Sequence, residues 1–206
     1  MKKVAVLLDG GHVLHELHRL LGFRQPTANE VERFAHKCYD QDKEDLFRVY
    51  YYDCPPFDGS AKNPATGVEE DFSTRPEFAS RTRFYALLAA KDAFAFRAGS
   101  LKCQGYSVRP RAIAAYFQQG RAIAADDLRP NLRQKGVDIK IGLDISWLAS
   151  KRIVDRIILC TNDSDFIPAM KFARREGVQI VIASFKPGLR AEMKEHCDEF
   201  RVIEFP

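Results

Sequence analysis

Two apolar runs in this chain end in carboxylates. Val4-Ala-Val-Leu-Leu8 delivers Asp9 and then two glycines, and Arg156 to Thr161 delivers Asn162-Asp163-Ser164-Asp165. In an open parallel sheet, ligands gather beyond the carboxyl ends of the strands, where strand order reverses, so acids at such ends are placed for chemistry. Asp9 taken alone also suits a turn, its carboxylate bonding its own backbone. The tetrad also suits a helix N-cap, because Pro168 falls in the first turn of the next expected helix. One cap needs one such residue, and a run of polar cappers that includes two acids exceeds that need. Asp144 is a further candidate, set in Ile139 to Leu148, a stretch dominated by large apolar residues. An ionised carboxylate in so apolar a helix is costly unless a cation or donors satisfy it, and only Lys140 lies within helical reach, which makes a metal ion the economical partner. Asp138 would point about 240° round the same helix from Asp144 and is expected before the helix as a cap or at the edge of the cleft.

Carboxylates gathered from separate segments repel one another unless a divalent cation holds them. Hard oxygen ligands without a cysteine and histidine cluster favour Mg²⁺ or Mn²⁺ over zinc. Such sites act on phosphate esters, by polarising the phosphoryl oxygen and acidifying a water. Nucleotide-triphosphate hydrolysis and dinucleotide binding lose support, since neither GxxxxGK[ST] nor GxGxxG occurs. Cations for the remaining phosphates lie between Arg97 and Lys135, where Arg97, Lys102, Arg109, Arg111, Arg121, Arg129, Arg133 and Lys135 face only Asp126 and Asp127. Such a run is either a solvated face or a stripe for a polyanion.

The elements that must position these groups are set by periodicity. Lys3 to Leu8 is a continuous apolar run, read as a central parallel strand covered on both faces. Helices are expected from His12 to Leu21 and from Thr27, where Glu30 completes a capping box. A strand is expected over Phe47 to Asp53. Cys54 to Pro76 has the composition of a long surface loop or lid. Pro76 to Asp92 reads as helix, Phe94 to Ser100 and Tyr106 to Pro110 as short strands, and 110 to 134 gives no clear pattern. Ile139 to Leu148 reads as helix, Arg156 to Thr161 as strand, Phe166 to Glu176 as helix stopped by Gly177, and Val178 to Ala183 as strand. The expected architecture is a three-layer α/β domain with a mostly parallel central sheet and helices on both faces.

The 206 residues are 46% hydrophobic and 29% charged, which fits one ordinary globular domain over 1–206, with a loop or lid insertion at 54–76. The apolar run at the start is cut short by Asp9, which argues against a signal peptide, and no membrane span is expected. Five cysteines, an odd number without a CxxC pair, point to a reducing cytoplasmic setting.

Val4-Ala-Val-Leu-Leu-Asp9-Gly-Gly-His12, Lys135-Gly-Val-Asp138-Ile-Lys-Ile-Gly-Leu-Asp144 and Thr161-Asn-Asp163-Ser-Asp165-Phe-Ile-Pro168 together resemble the NYN domain family, including its bacterial LabA-like branch, within the PIN-like nuclease superfamily. The resemblance implies a Rossmannoid sheet of order 3-2-1-4-5, with Asp9 and Asp163 at neighbouring strand ends, and a metal-dependent ribonuclease or related nuclease. It implies Asp9, Asp144 and Asp163 as the catalytic metal-binding acids, with Asp138 and Asp165 as further ligands or their supports. The family often has Asn where this chain has His12, which could bind metal, carry a proton or pack. His12, Asn162 and Ser164, with Arg129, Arg133 and Lys135 leading into the second motif, are expected to hold the substrate.

Three functions fit these residues. The first is a Mg²⁺- or Mn²⁺-dependent ribonuclease acting on RNA or another nucleic acid; the second, an RNA-binding regulatory protein whose metal site turns over slowly or not at all. The third is a phosphatase with an aspartyl nucleophile, weakened because Gly11 stands where a second Asp would serve as general acid. A second copy of the chain remains an open partner.

Overall fold

The computed structural model describes residues 1–205. In chain order the elements are β1 (Lys2–Asp9), α1 (Gly10–Leu20), α2 (Ala28–Lys37), β2 (Glu44–Asp53), β3 (Ser60–Lys62), β4 (Glu69–Asp71), α3 (Pro76–Ala89), β5 (Phe94–Ala98), β6 (Ser100–Val108), α4 (Pro110–Gln119), β7 (Leu128–Lys135), α5 (Val137–Ser150), β8 (Arg156–Cys160), α6 (Ile167–Arg175), β9 (Gln179–Ser184), α7 (Ala191–Lys194) and β10 (Glu199–Val202). The chain divides into two compact units, one of residues 1–53, 84–98 and 136 onward, the other of 54–83 and 99–135.

The first unit is built on a six-stranded sheet of order β10-β9-β8-β1-β2-β5, all of its pairs parallel. Numbered within the sheet, this is the expected 3-2-1-4-5 with β10 added at one edge. The order reverses between β1 and β8, which puts Asp9 and the 161–165 segment on either side of the switch point. β1 is central, and Val4 to Leu8 are fully buried, because alternate residues meet different helices. Val4, Val6 and Leu8 share a core with Val13 and Leu17 of α1 and Val31 and Phe34 of α2. α5 and α6 pack on β2, β5 and β9, burying Ile141, Ile145, Leu148 and Met170.

Local signals set the helix starts. Thr27 and Glu30 form the expected capping box of α2. Gly10 opens α1 where a Cβ would stand 2.5 Å from the Tyr52 carbonyl oxygen and 2.9 Å from Asp53 Cβ, so only glycine lets α1 begin against the end of β2. α5 starts at Val137 after Gly136, whose φ of 80° places the left-handed residue before the helix. Asp138 thus lies in the first turn and not before the helix as a cap.

At the opposite end of the sheet, the start of β2 is tied to β8 and β10. Glu44, 3% exposed, accepts from both Arg201 Nη atoms at 2.8 and 2.9 Å and from Arg156. Burial pushes its carboxyl pKa up, but hydrogen bonds from Arg201, the Asp40 N–H and Arg156, with the Arg201 charge, outweigh burial and hold it at about 2, below the usual 4.5. Because the folded value is depressed, this stabilisation is full above pH 4.5 and fades as pH falls towards 2. Linkage with some solvent screening gives about 2 kcal/mol. Urea unfolding of wild type and Glu44→Gln is expected to show that gap at neutral pH and its shrinkage below pH 4; a gap independent of pH would contradict it.

The second unit holds two antiparallel ribbons, β3-β4 and β6-β7, with α4 capped by Gly120 in the left-handed conformation. The segment read as a loop, 54–76, therefore carries the β3-β4 hairpin, and the patternless 110–134 carries α4 and most of β7. A bulge in β6 between Cys103 and Tyr106 shifts the register and breaks the alternation that would mark one continuous strand. All five cysteines are free, and among the described residues no helix is long and apolar enough to cross a membrane.

Candidate active site

The site lies in the first unit, at the carboxyl ends of β1 and β8. Asp9 ends β1 and caps α1, its Oδ1 accepting from the His12 N–H at 3.3 Å. Its Oδ2 accepts from the Thr161 hydroxyl at 3.0 Å, and the Asp163 N–H donates back to Thr161 Oγ1 at 3.2 Å. Asp163 in turn caps the short turn after β8, accepting from the Asp165 N–H at 3.0 Å. The buried Thr161 therefore links the two strand ends across the switch point. Capping and site roles coexist, since each cap uses one carboxylate oxygen.

Asp138 joins them from the first turn of α5. Its pKa is raised, first by the partial burial of an otherwise exposed side chain and then by the negative charges of Asp163, Asp9 and Asp165. These acids from three segments thus feel one another, and among the described residues no ion pair joins any of them to a Lys or Arg. Among the described residues, no three His, Cys, Asp or Glu side chains lie close enough together to hold one metal ion as they stand. The donor set is still the one a hard divalent cation takes: carboxylate oxygens, one hydroxyl, and negative charge not neutralised from within.

Asp144 stands apart. Its Oδ1 and Oδ2 accept from Arg97 at 2.8 Å each, and Oδ2 also accepts from the Tyr52 hydroxyl at 2.9 Å. The partner of this buried acid is thus a guanidinium from β5, which no sequence spacing reveals, in place of the expected metal ion. The pairing raises the Arg97 pKa, and burial followed by the Asp144 charge raises that of Tyr52 far above its usual value.

His12 packs edge-on to Phe185 at 6.0 Å and lines a cleft of about 80 Å³ with Glu16, Asn162 and Lys186. Its pKa is lowered, chiefly by burial and with help from Lys186, against the opposing pull of Asp9 and Glu16. Asn162 is exposed and Ser164 half-buried. Arg190 donates to the Asn162 carbonyl and, at 3.4 Å, to the Ser164 hydroxyl, a cation beside the tetrad that no spacing in the sequence announced. The same helix that carries Asp138 exposes Ile139, Leu143 and Trp147. Arg129, Arg133 and Lys135 belong to the second unit, all on β7 and all exposed.

A family model of the NYN domain matches residues 70–204, a span that includes Asp138, Asp144, Asp163 and Asp165 but not Asp9. An uncharacterized protein of Methanocaldococcus jannaschii is 25% identical over 77 residues, 37% of this chain and 32% of that protein, so the match spans about a third of the relative's length. A crystal structure of a protein of unknown function from Vibrio parahaemolyticus aligns over 98% of this chain and 93% of that one, with a TM-score of 0.52 at 16% identity. That likeness is one of fold.

Proposed function

The chain belongs to the NYN domain family, within the PIN-like nucleases, and from that premise we propose that it is a Mg²⁺- or Mn²⁺-dependent ribonuclease acting on RNA phosphodiester bonds in the cytoplasm, with 1–206 working as one NYN/PIN-like domain. The observation that carries the reading is the meeting of Asp9, Asp138, Asp163 and Asp165 at the switch point, where Thr161 bridges two of them.

Asp9 and Asp163 are the principal ligands in this reading, Asp163 through the oxygen its cap does not use and Asp9 through the remaining lone pairs of the oxygen that accepts from Thr161, and Asp138 and Asp165 complete the negative set. Asp144, with Arg97, instead fixes the pitch of α5 on the sheet and so the position of Asp138. A divalent ion held there supplies Lewis-acid polarisation of the phosphoryl oxygen and acidification of a water. Asn162 and Ser164 present uncharged polar groups to the scissile region. The lowered pKa of His12 favours the neutral imidazole, which offers a hydrogen bond at the edge of the acid cluster. Arg190, held on the tetrad, supplies a positive charge for a substrate phosphate.

The test is cleavage of a labelled RNA with Mn²⁺, with Mg²⁺ and with chelator. Cleavage with either ion that stops on chelation is the expected result. RNA binding without cleavage in any metal would favour the regulatory alternative.

A further inference from the structure

The β6-β7 ribbon of the second unit has two unlike faces. Along β7, Arg129, Asn131, Arg133 and Lys135 alternate onto one face, and the pairing sets Lys102 opposite Arg133 and Ser100 opposite Lys135. The four cations are exposed. The other face carries Leu101, Cys103, Tyr106, Val108, Leu128 and Leu132, all half-buried. No carboxylate shares the cationic face. The two nearby acids precede β7, and Asp127 is already paired with Arg121 at 2.8 Å. Of the eight basic residues in the stripe, Arg97 and Arg121 are spent on internal carboxylates, whereas these four have no acid beside them on the ribbon.

Like charges set directly opposite each other weaken a ribbon, as Lys102 and Arg133 do here. Such a face is tolerable because it is solvated, and it becomes favourable when an anion with repeated charges lies along it. The step between same-face residues on a strand is about 6.8 Å, comparable to the reach between successive phosphates of an extended nucleic-acid strand. A small anion would meet one or two of these cations; a polyanion meets them all.

We propose that the cationic face of β6-β7 is a binding site for the phosphate backbone of RNA, able to hold RNA when the acid cluster of the first unit is disabled. The identity of the polyanion as RNA rests on the ribonuclease reading; the polyanion chemistry rests on the ribbon alone.

The experiment uses the full chain carrying Asp163→Asn, with chelator present, and measures binding of a labelled uridine oligomer over a range of salt concentrations. Adding Arg129→Ala, Arg133→Ala and Lys135→Ala is expected to weaken binding at least about tenfold and to flatten the logarithmic salt slope by about two, at roughly 0.7 for each phosphate no longer neutralised. The Gln versions of the same three substitutions, compared with their parent by melting, give the same reading if the Ala versions fold poorly. Lys151→Ala with Arg152→Ala, exposed cations of the first unit, should leave the slope unchanged. An unaltered slope in the ribbon variants overturns the proposal, as does an equal drop in the Lys151 and Arg152 variant or tighter binding to anionic lipid vesicles than to RNA. Metal-dependent cleavage measured alongside separates the two readings. Cleavage with an unaltered ribbon slope removes the ribbon and keeps the nuclease, whereas retained ribbon binding without cleavage does the reverse.

Discussion

Asp163→Asn is expected to lower the rate of metal-dependent RNA cleavage by about 10³-fold or more, some 4 kcal/mol of transition-state stabilisation, without unfolding the protein. Asparagine keeps a side-chain oxygen to accept from the Asp165 N–H, the bond that caps the turn after β8, so the local backbone has no reason to move. What it loses is one negative charge from a group of acids close enough to raise the pKa of Asp138, and with it a ligand oxygen. Removing that charge also relieves repulsion in the metal-free state, so the melting temperature without metal should stay level or rise slightly. Asp9→Asn should behave alike in activity, with a small added loss of stability because Asp9 also receives the Thr161 hydroxyl. The measurements are initial cleavage rates with Mn²⁺ and thermal melting with and without it. Cleavage by Asp163→Asn within about twofold of wild type would remove the acid cluster as the reacting centre.

Much of this site was legible because its signals are local. Strands such as Val4 to Leu8 and Arg156 to Cys160 declare themselves by unbroken apolar runs, and the residue after a parallel strand lies at the sheet's carboxyl edge whatever the rest of the chain does. Asp9 and Asp163 are placed by that rule. The rest depended on which strands lie side by side. Arg97 reaches Asp144 because β5 neighbours β2 and α5 lies over both, a relation between positions 47 residues apart that no helical spacing encodes. Arg190 comes to the tetrad through a loop, again by tertiary placement. In the second unit the cations were visible as a run, but their common face was not, because the bulge in β6 hid the register that aligns Lys102 with Arg133.

That difference between local and tertiary information fixes what Asp144→Ala should do. If Asp144 were bound mainly to a metal ion, as its isolation in the sequence suggested, its loss would abolish metal-induced stabilisation. The structure gives it Arg97 and Tyr52 instead, so the loss should be one of stability irrespective of metal. Removing the carboxylate leaves a buried tyrosine hydroxyl and a guanidinium without their partner, a class of change that costs about 3–5 kcal/mol when both groups are enclosed. The Arg97 side chain is 42% exposed and can regain water, which puts the expected cost at about 2–3 kcal/mol, or a fall of roughly 5–10 °C in melting temperature for a chain of this size. Ligand binding to the native state alone adds RT ln(1 + [L]/Kd), about 2.7 kcal/mol at a hundredfold excess over Kd. Wild type and Asp144→Ala should both melt higher with Mn²⁺ than without, from different baselines, whereas Asp163→Asn should keep the wild-type baseline and lose most of the rise. Arg97→Ala should be at least as damaging as Asp144→Ala, since it strands a buried carboxylate, and Asp144→Asn less so, since the amide can still accept from Tyr52. Loss of the Mn²⁺ rise in Asp144→Ala together with an undisturbed baseline would reverse the assignment and return Asp144 to the metal.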